Sequence, residues 1–138
     1  MEISRTLDWA AGRKHGVLIT NRKDGRSQSS DVVYAVIDGA IHVSLTADRA
    51  KTRNMQRDPR VVFHITDPGS WSYASIDATV DLTPVTTDAT DATAEALVAV
   101  YRLVAGEHDD WDEFRAAMID EQRLVARIAP NSVTGQIH

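Results

Sequence analysis

The sequence predicts a small α+β barrel, mainly β, of about six antiparallel strands with helices as excursions. Two observations carry this. Short runs alternating between apolar and polar residues are joined by Asp-Gly turns through the first half, and after Asp88 the apolar residues change to helical spacing. The length of 138 residues fits a single domain over 1–138. A chain of that size buries roughly two thirds of its unfolded surface without covalent staples.

Each element follows from its local pattern. HGVLIT, His15 to Thr20, is rich in β-formers, and RKDGR supplies a turn at Asp24-Gly25. QSSDVVYAVI, Gln28 to Ile37, reads as one second strand, and Asp38-Gly39 turns the chain into AIHVSLT, where Ile41, Val43 and Leu45 face one way and His42, Ser44 and Thr46 the other. The next segment, DRAKTRNMQRDPR from Asp48 to Arg60, suits a helix of about two turns that ends before Pro59. VVFHIT, Val61 to Thr66, is a fourth strand. In WSYASIDATVDL, the fifth, Ala74, Ile76, Ala78, Val80 and Leu82 form an apolar face, and Trp71 and Tyr73 begin the polar one. Leu97, Val98, Tyr101 and Val104 then mark a helix ended by Gly106. Asp110 caps a second helix, with Trp111, Phe114, Met118 and Ile119 as its stripe. RLVARI, Arg123 to Ile128, returns to strand before Pro130, and a further short strand is expected near Val133.

Composition removes several function classes. Cysteine is absent, which excludes disulfides, thiolate nucleophiles and Cys-ligated metals and fits a cytoplasmic location. The N-terminus lacks the order of a signal peptide and no apolar run approaches the ~20 residues of a bilayer span, so no membrane partner is expected. A formal charge of −5 disfavours nucleic acid as a partner. The glycines never fall as GxG, the serines never as GxSxG, and the five histidines show no metal-ligand spacing, so no metal is expected. EHDDWDE reads as a solvated loop whose Asp110 is a cap.

The basic segment stands apart from this acidic background, with Arg49, Lys51, Arg53, Arg57 and Arg60 in thirteen positions. On a helix, Arg49, Arg53 and Arg57 are i,i+4 neighbours, each like-charge pair costing roughly 0.2–0.5 kcal/mol. Arg49 and Lys51 also oppose the positive end of the helix dipole by about 0.3–1 kcal/mol each. A bound phosphate or carboxylate reverses that sign, because each charge-assisted hydrogen bond contributes roughly 1.5–3 kcal/mol. Solvent and the flanking Asp48 and Asp58 are the competing explanation. Ser44 and Thr46 precede the segment, and Trp71 and Tyr73 offer flat surfaces that suit a phosphorylated, conjugated cofactor.

Four stretches carry a resemblance. GVLITNRKDGRSQSSDVVYA, VSLTADRAKTRNMQRDPRVVFHIT, WSYASIDATVDLTPV and YRLVAGEHDDWDEFRAAMIDEQRLVARI resemble, in order, the deazaflavin (coenzyme F420)-dependent oxidoreductases of the pyridoxamine 5'-phosphate oxidase-like split-barrel superfamily. RAKTRN followed by RDPR is the most specific part. The resemblance implies a six-stranded antiparallel split β-barrel, with short peripheral helices, that forms a homodimer with two cofactor sites at its interface. It also implies that Arg49, Lys51, Arg53 and Asn54 hold the cofactor's phosphate region with Ser44 beside it, that Gln28 and Ser30 face the ring system, and that Trp71 is an aromatic near the cofactor. Asp31 and Val33 depart from the family pattern, which implies a roomier and more negative substrate side.

The expected function is hydride transfer from reduced F420 to an electron-poor conjugated small molecule, with no acid–base residue assigned. Two alternatives stay open: an FMN-binding oxidoreductase of the same fold, whose phosphate would use the same cations, and a non-catalytic protein binding the cofactor or a tetrapyrrole.

Overall fold

A computed structural model describes residues Met1–His138. Helix α1 (Ile3–Ala11) leads into β1 (His15–Asn21), β2 (Ser27–Val33), β3 (Ala35–Ile37) and β4 (Ala40–Thr46). Helix α2 (Ala50–Arg57), β5 (Arg60–Asp67), a short 3₁₀ turn (Pro68–Ser70) and β6 (Ser72–Leu82) follow. Helices α3 (Ala92–Ala105) and α4 (Trp111–Asp120) precede β7 (Arg123–Gln136). The strands form one antiparallel sheet in the order β2-β1-β5-β6-β7-β4-β3, curled as a split barrel.

There are seven strands rather than the six expected, and the difference lies at Tyr34. The sequence from Gln28 to Ile37 holds no turn signal and reads as one strand, but Tyr34 leaves the ladder. Its N–H donates to the carbonyl of Lys14 at 2.9 Å and its hydroxyl to the carbonyl of Ala10 at 2.7 Å. Its ring meets Phe63 edge-on at 5.2 Å. Upstream of it β2 pairs with β1, and downstream β3 pairs with β4, so one continuous stretch of chain supplies both edges of the sheet. The split of the barrel lies where that stretch crosses.

Period-two burial fills the barrel. Leu18, Phe63, Ile65, Ala74, Ile76, Val43 and Ile128 point inward, with the Ala74–Val80 face of β6 buried as the alternation predicts. Gly16 is required by this packing, since a Cβ there would collide with the ring of Phe63. The Asp38-Gly39 turn has positive φ at both residues, 50° and 75°, as a two-residue hairpin favours. Helix α1, not assigned from the sequence, contributes Leu7 and Ala10 to the core.

A second, smaller core lies outside the barrel, where Leu97, Val98, Val100, Phe114 and Met118 of α3 and α4 pack over Val125 and Ala35. This layer explains why β4 is covered on both faces, with His42 buried opposite Ile41 and Val43. β7 continues through Pro130 rather than stopping there. A register shift at Asp77/Ala78 leaves Asn131 as the extra residue of a bulge, a position where a strand tolerates proline. No helix is long and apolar enough to cross a membrane.

Candidate functional site

The chain leaves β4 at Thr46 and enters α2 within three residues, tied by the Thr52 hydroxyl donating to the Thr46 carbonyl at 2.8 Å. Arg49 is the N-cap in extended conformation, makes no capping hydrogen bond, and is followed by no acidic residue in the first turn. Free N–H groups at this helix start therefore sit beside two cations that the dipole disfavours. Lys51 is half-buried, and burial together with the neighbouring Arg49 charge lowers its pKa below the ordinary lysine value.

The other end of the segment is differently placed. Arg60 forms a fork on Asp58, Nε to Oδ1 at 3.0 Å and Nη2 to Oδ2 at 2.9 Å, and Asn21 Nδ2 also donates to Asp58 at 3.1 Å. These bonds, that to the Arg60 side chain foremost, hold the Asp58 carboxyl well below the usual carboxylate range. Arg57 donates to the Asn21 carbonyl at 3.0 Å and to Asn54 Oδ1 at 2.8 Å.

A cleft of about 150 Å³ opens at the split of the barrel, between the end of β2 and β4. Ser44, Arg49, Lys51 and Arg123 line it together with Asp31 and Val33. Arg123 is carried there by the pairing of β4 with β7, in which it lies opposite Thr46. Its Nη1 donates to Ser44 Oγ at 3.2 Å, while Nε and Nη2 donate to Glu121 Oε1 at 3.1 and 3.0 Å. Sequence reasoning missed Arg123, since its only route into the site is a register between segments 79 residues apart.

Of the residues expected at the site, the structure brings Ser44, Arg49 and Lys51 together. Arg53 lies one turn beyond Arg49, exposed and outside the cleft lining. Asn54 is buried, its Nδ2 donating to Thr20 Oγ1 at 3.1 Å and to Gln28 Oε1 at 2.9 Å, so Asn54 and Gln28 bind each other across α2 and β2. Ser30 is half-buried opposite Leu18 of β1. Trp71 stands not in β6 but in the turn before it, left-handed at φ 56° and 81% exposed, outside the cleft of its own chain. Beyond it, Tyr73 stacks on His64 at 5.8 Å on the outer face of the sheet.

Two further hollows frame the cleft. One of about 680 Å³ lies at the far end of α2, lined by Asn21, Arg22, Lys23, Gly25, Arg57, Asp58 and Arg60. It is the more voluminous, yet two of its cations are already bonded within the chain and no apolar residue lines it. The other, about 400 Å³ and mostly apolar, lies beneath α3 and α4 and shares Val33, Ser44 and Arg123 with the cleft. No group of three His, Asp or Glu side chains converges as a metal centre. In EHDDWDE, Asp110 caps α4 by accepting from the Glu113 N–H at 3.1 Å, as expected, and His108 Nδ1 accepts from the Asp110 N–H at 2.9 Å.

No family model matches the chain. Solved structures do. A conserved hypothetical protein from Mycobacterium tuberculosis superposes with a TM-score of 0.78 at 24% identity, over 98% of this chain and 84% of that one. A protein described as an F420 reductase gives 0.67 at 23% identity, over 88% and 89%. A protein of the pyridoxinephosphate oxidase family from Clostridium acetobutylicum gives 0.68 at 10% identity, over 99% and 88%. Together with the sheet order, these likenesses establish that the chain has the pyridoxamine 5'-phosphate oxidase-like split-barrel fold.

Proposed function

We propose that the chain is a coenzyme F420-dependent oxidoreductase, with the cofactor's phosphate held in the cleft at the start of α2. The observation that supports this best is a contrast in partners. Arg57 and Arg60 are bonded within the chain, whereas Arg49, Lys51 and Arg53 make no ion pair or side-chain hydrogen bond, and the helix start beside them is uncapped. The donors suit a phosphate: the cations Arg49, Lys51 and Arg123, against one carboxylate, Asp31, with the Ser44 hydroxyl and free helix N–H groups around the same cleft. An F420 reductase has this fold, as do haem- and FAD-binding proteins, so the choice of cofactor rests on the resemblance of RAKTRN and RDPR.

Bound there, reduced F420 would supply a hydride from its deazaflavin C5, two electrons passing to a conjugated acceptor, with the acceptor's proton coming from water or a nearby side chain and the cofactor's own passing to solvent. Arg49 and Lys51 neutralise the phosphate and fix where the cofactor lies. Arg123, anchored on Glu121, holds the Ser44 hydroxyl at the cleft. No side chain is given a proton-transfer role. The cleft's 150 Å³ falls below the ~300–1,000 Å³ of small-molecule sites, so the ring system extends beyond it. In this reading a second copy of the chain covers the ring in a homodimer, each copy offering its exposed Trp71 to the other's site.

The test is anaerobic. A colourless protein that shifts F420 fluorescence on titration and oxidises reduced F420 with quinones or enones supports the reading. A yellow protein that releases FMN on denaturation, or one that takes up haem and leaves F420 unbound, overturns it.

A further inference from the structure

We propose that the apolar hollow beneath α3 and α4 binds a flat, apolar, ring-bearing small molecule with a hydrogen-bond-accepting oxygen at one edge. On the F420 reading, on which this last step rests, that molecule is the hydride acceptor. The hollow's 400 Å³ lies within the ~300–1,000 Å³ of small-molecule sites, and eight of its ten lining residues are hydrophobic. Rings stand in its wall, Tyr101 and Phe114 with centroids 4.9 Å apart. The barrel's interior, by contrast, is filled by side chains. The hollow therefore sits in the smaller core alone, where two helices cover a strand surface that they do not fill.

Its two polar lining residues are Ser44 and Arg123, and both also line the cation cleft. Arg123 uses three of its five N–H donors, on Ser44 and Glu121, and two remain free. With the Ser44 hydroxyl they form a donor edge at the junction of hollow and cleft. A carbonyl or similar oxygen bound there directs the rest of a conjugated molecule into the apolar wall and places its polar end next to the cofactor site.

Anilinonaphthalenesulfonate, two aromatic groups with an oxygen-bearing edge, is the probe, and its fluorescence in the cofactor-free protein is the readout. One saturable site per chain is expected, persisting at saturating F420 and binding neutral phenylnaphthylamine more weakly. Ala105→Trp and Val33→Trp, each at an exposed lining position and each checked by circular dichroism, should weaken it at least tenfold. Absence of saturable binding, wild-type binding in both variants, or equal affinity for the neutral analogue would overturn the proposal. So would displacement by F420, which would give the hollow to the cofactor ring, or loss of binding as the protein self-associates, which would give it to a second copy. Probe binding without any F420 binding would overturn the F420 reading and leave the assignment of the hollow standing.

Discussion

Helix α3 begins at Asp91, whose carboxylate accepts from the Ala94 N–H at 2.7 Å, the Thr86 hydroxyl at 2.9 Å and the Thr87 and Asp88 N–H groups at 2.9 and 3.2 Å. Helix α2 begins at Arg49, which caps nothing, with Lys51 in its first turn. At α3 a carboxylate bonds the helix N–H groups directly, whereas at α2 the nearest carboxylate, Asp48, lies one residue before the N-cap beside Arg49 and Arg53 and makes no bond to the helix N–H groups. Helix α1 also starts without a side-chain cap and with Arg5 in its first turn, so it is the convergence of Arg49, Lys51 and Ser44 on one cleft, beyond the missing cap, that points to compensation by a ligand. At the far end of α2, where the dipole favours cations, the arginines do have partners. Within α2, the unpaired cations thus lie at the end where the fold gains least from them.

The largest effect tests the two ends of α2 against each other. Replacing Arg49 and Lys51 together by Ala should lower F420 affinity by about 3–6 kcal/mol, two charge-assisted contacts at roughly 1.5–3 kcal/mol each, in a fluorescence titration. The matching Arg57→Ala, Arg60→Ala pair should leave that affinity near wild type. Asn54→Ala should instead act on stability, by about 1–3 kcal/mol in urea melts, because Thr20, Gln28 and Arg57 each lose a partner at a buried position.

Asp91→Ala should destabilise by about 1 kcal/mol, the ordinary value of a lost N-cap, without touching F420 binding. Burial pushes the Asp91 pKa up, but the hydrogen bonds from Thr87, Ala94, Thr86 and Asp88 outweigh it and hold it at about 2. Because the folded value lies below the unfolded one of ~3.9, this contribution is present above that pH and is lost as pH falls through about 2. Acid titration of the unfolding midpoint, wild type against Asp91→Ala, should converge over that window. The smallest effect concerns Lys51. Its lowered pKa means that it deprotonates sooner than an ordinary lysine as pH rises, so F420 affinity should begin to fall at a lower pH in wild type than in Lys51→Arg.

Local chemistry made much of this legible. Alternation and Asp-Gly turns place β1, β4, β5 and β6, Pro59 and Asp58 bound α2, and Gly106 and Asp110 mark the ends of α3 and α4. What stayed hidden depends on partners far away in sequence. Nothing between Ser27 and Ile37 announces that Tyr34 turns one strand into the two edges of a barrel, since that follows from bonds to Ala10 and Lys14. Helix α1 carries helical spacing at Ile3, Leu7 and Ala10, but no side-chain cap marks its start. The bulge at Asn131 lets β7 run through a proline that reads as a stop. At the site, Ser44, Arg49 and Lys51 converge because they are close in sequence. Arg123 joins them through strand register, and Asn54 turns inward because the face of α2 that carries it packs on β1.

The central claim is that the start of α2 lacks a capping anion that a ligand supplies, and Arg49→Asp tests it most directly by placing a carboxylate at the N-cap itself. Thermal unfolding of wild type and Arg49→Asp should be measured with and without saturating F420. The variant should be the more stable of the two without F420, by about 0.5–2 kcal/mol, and the less stable with it. A variant less stable in both conditions, or a wild type that F420 leaves unstabilised, would contradict the account.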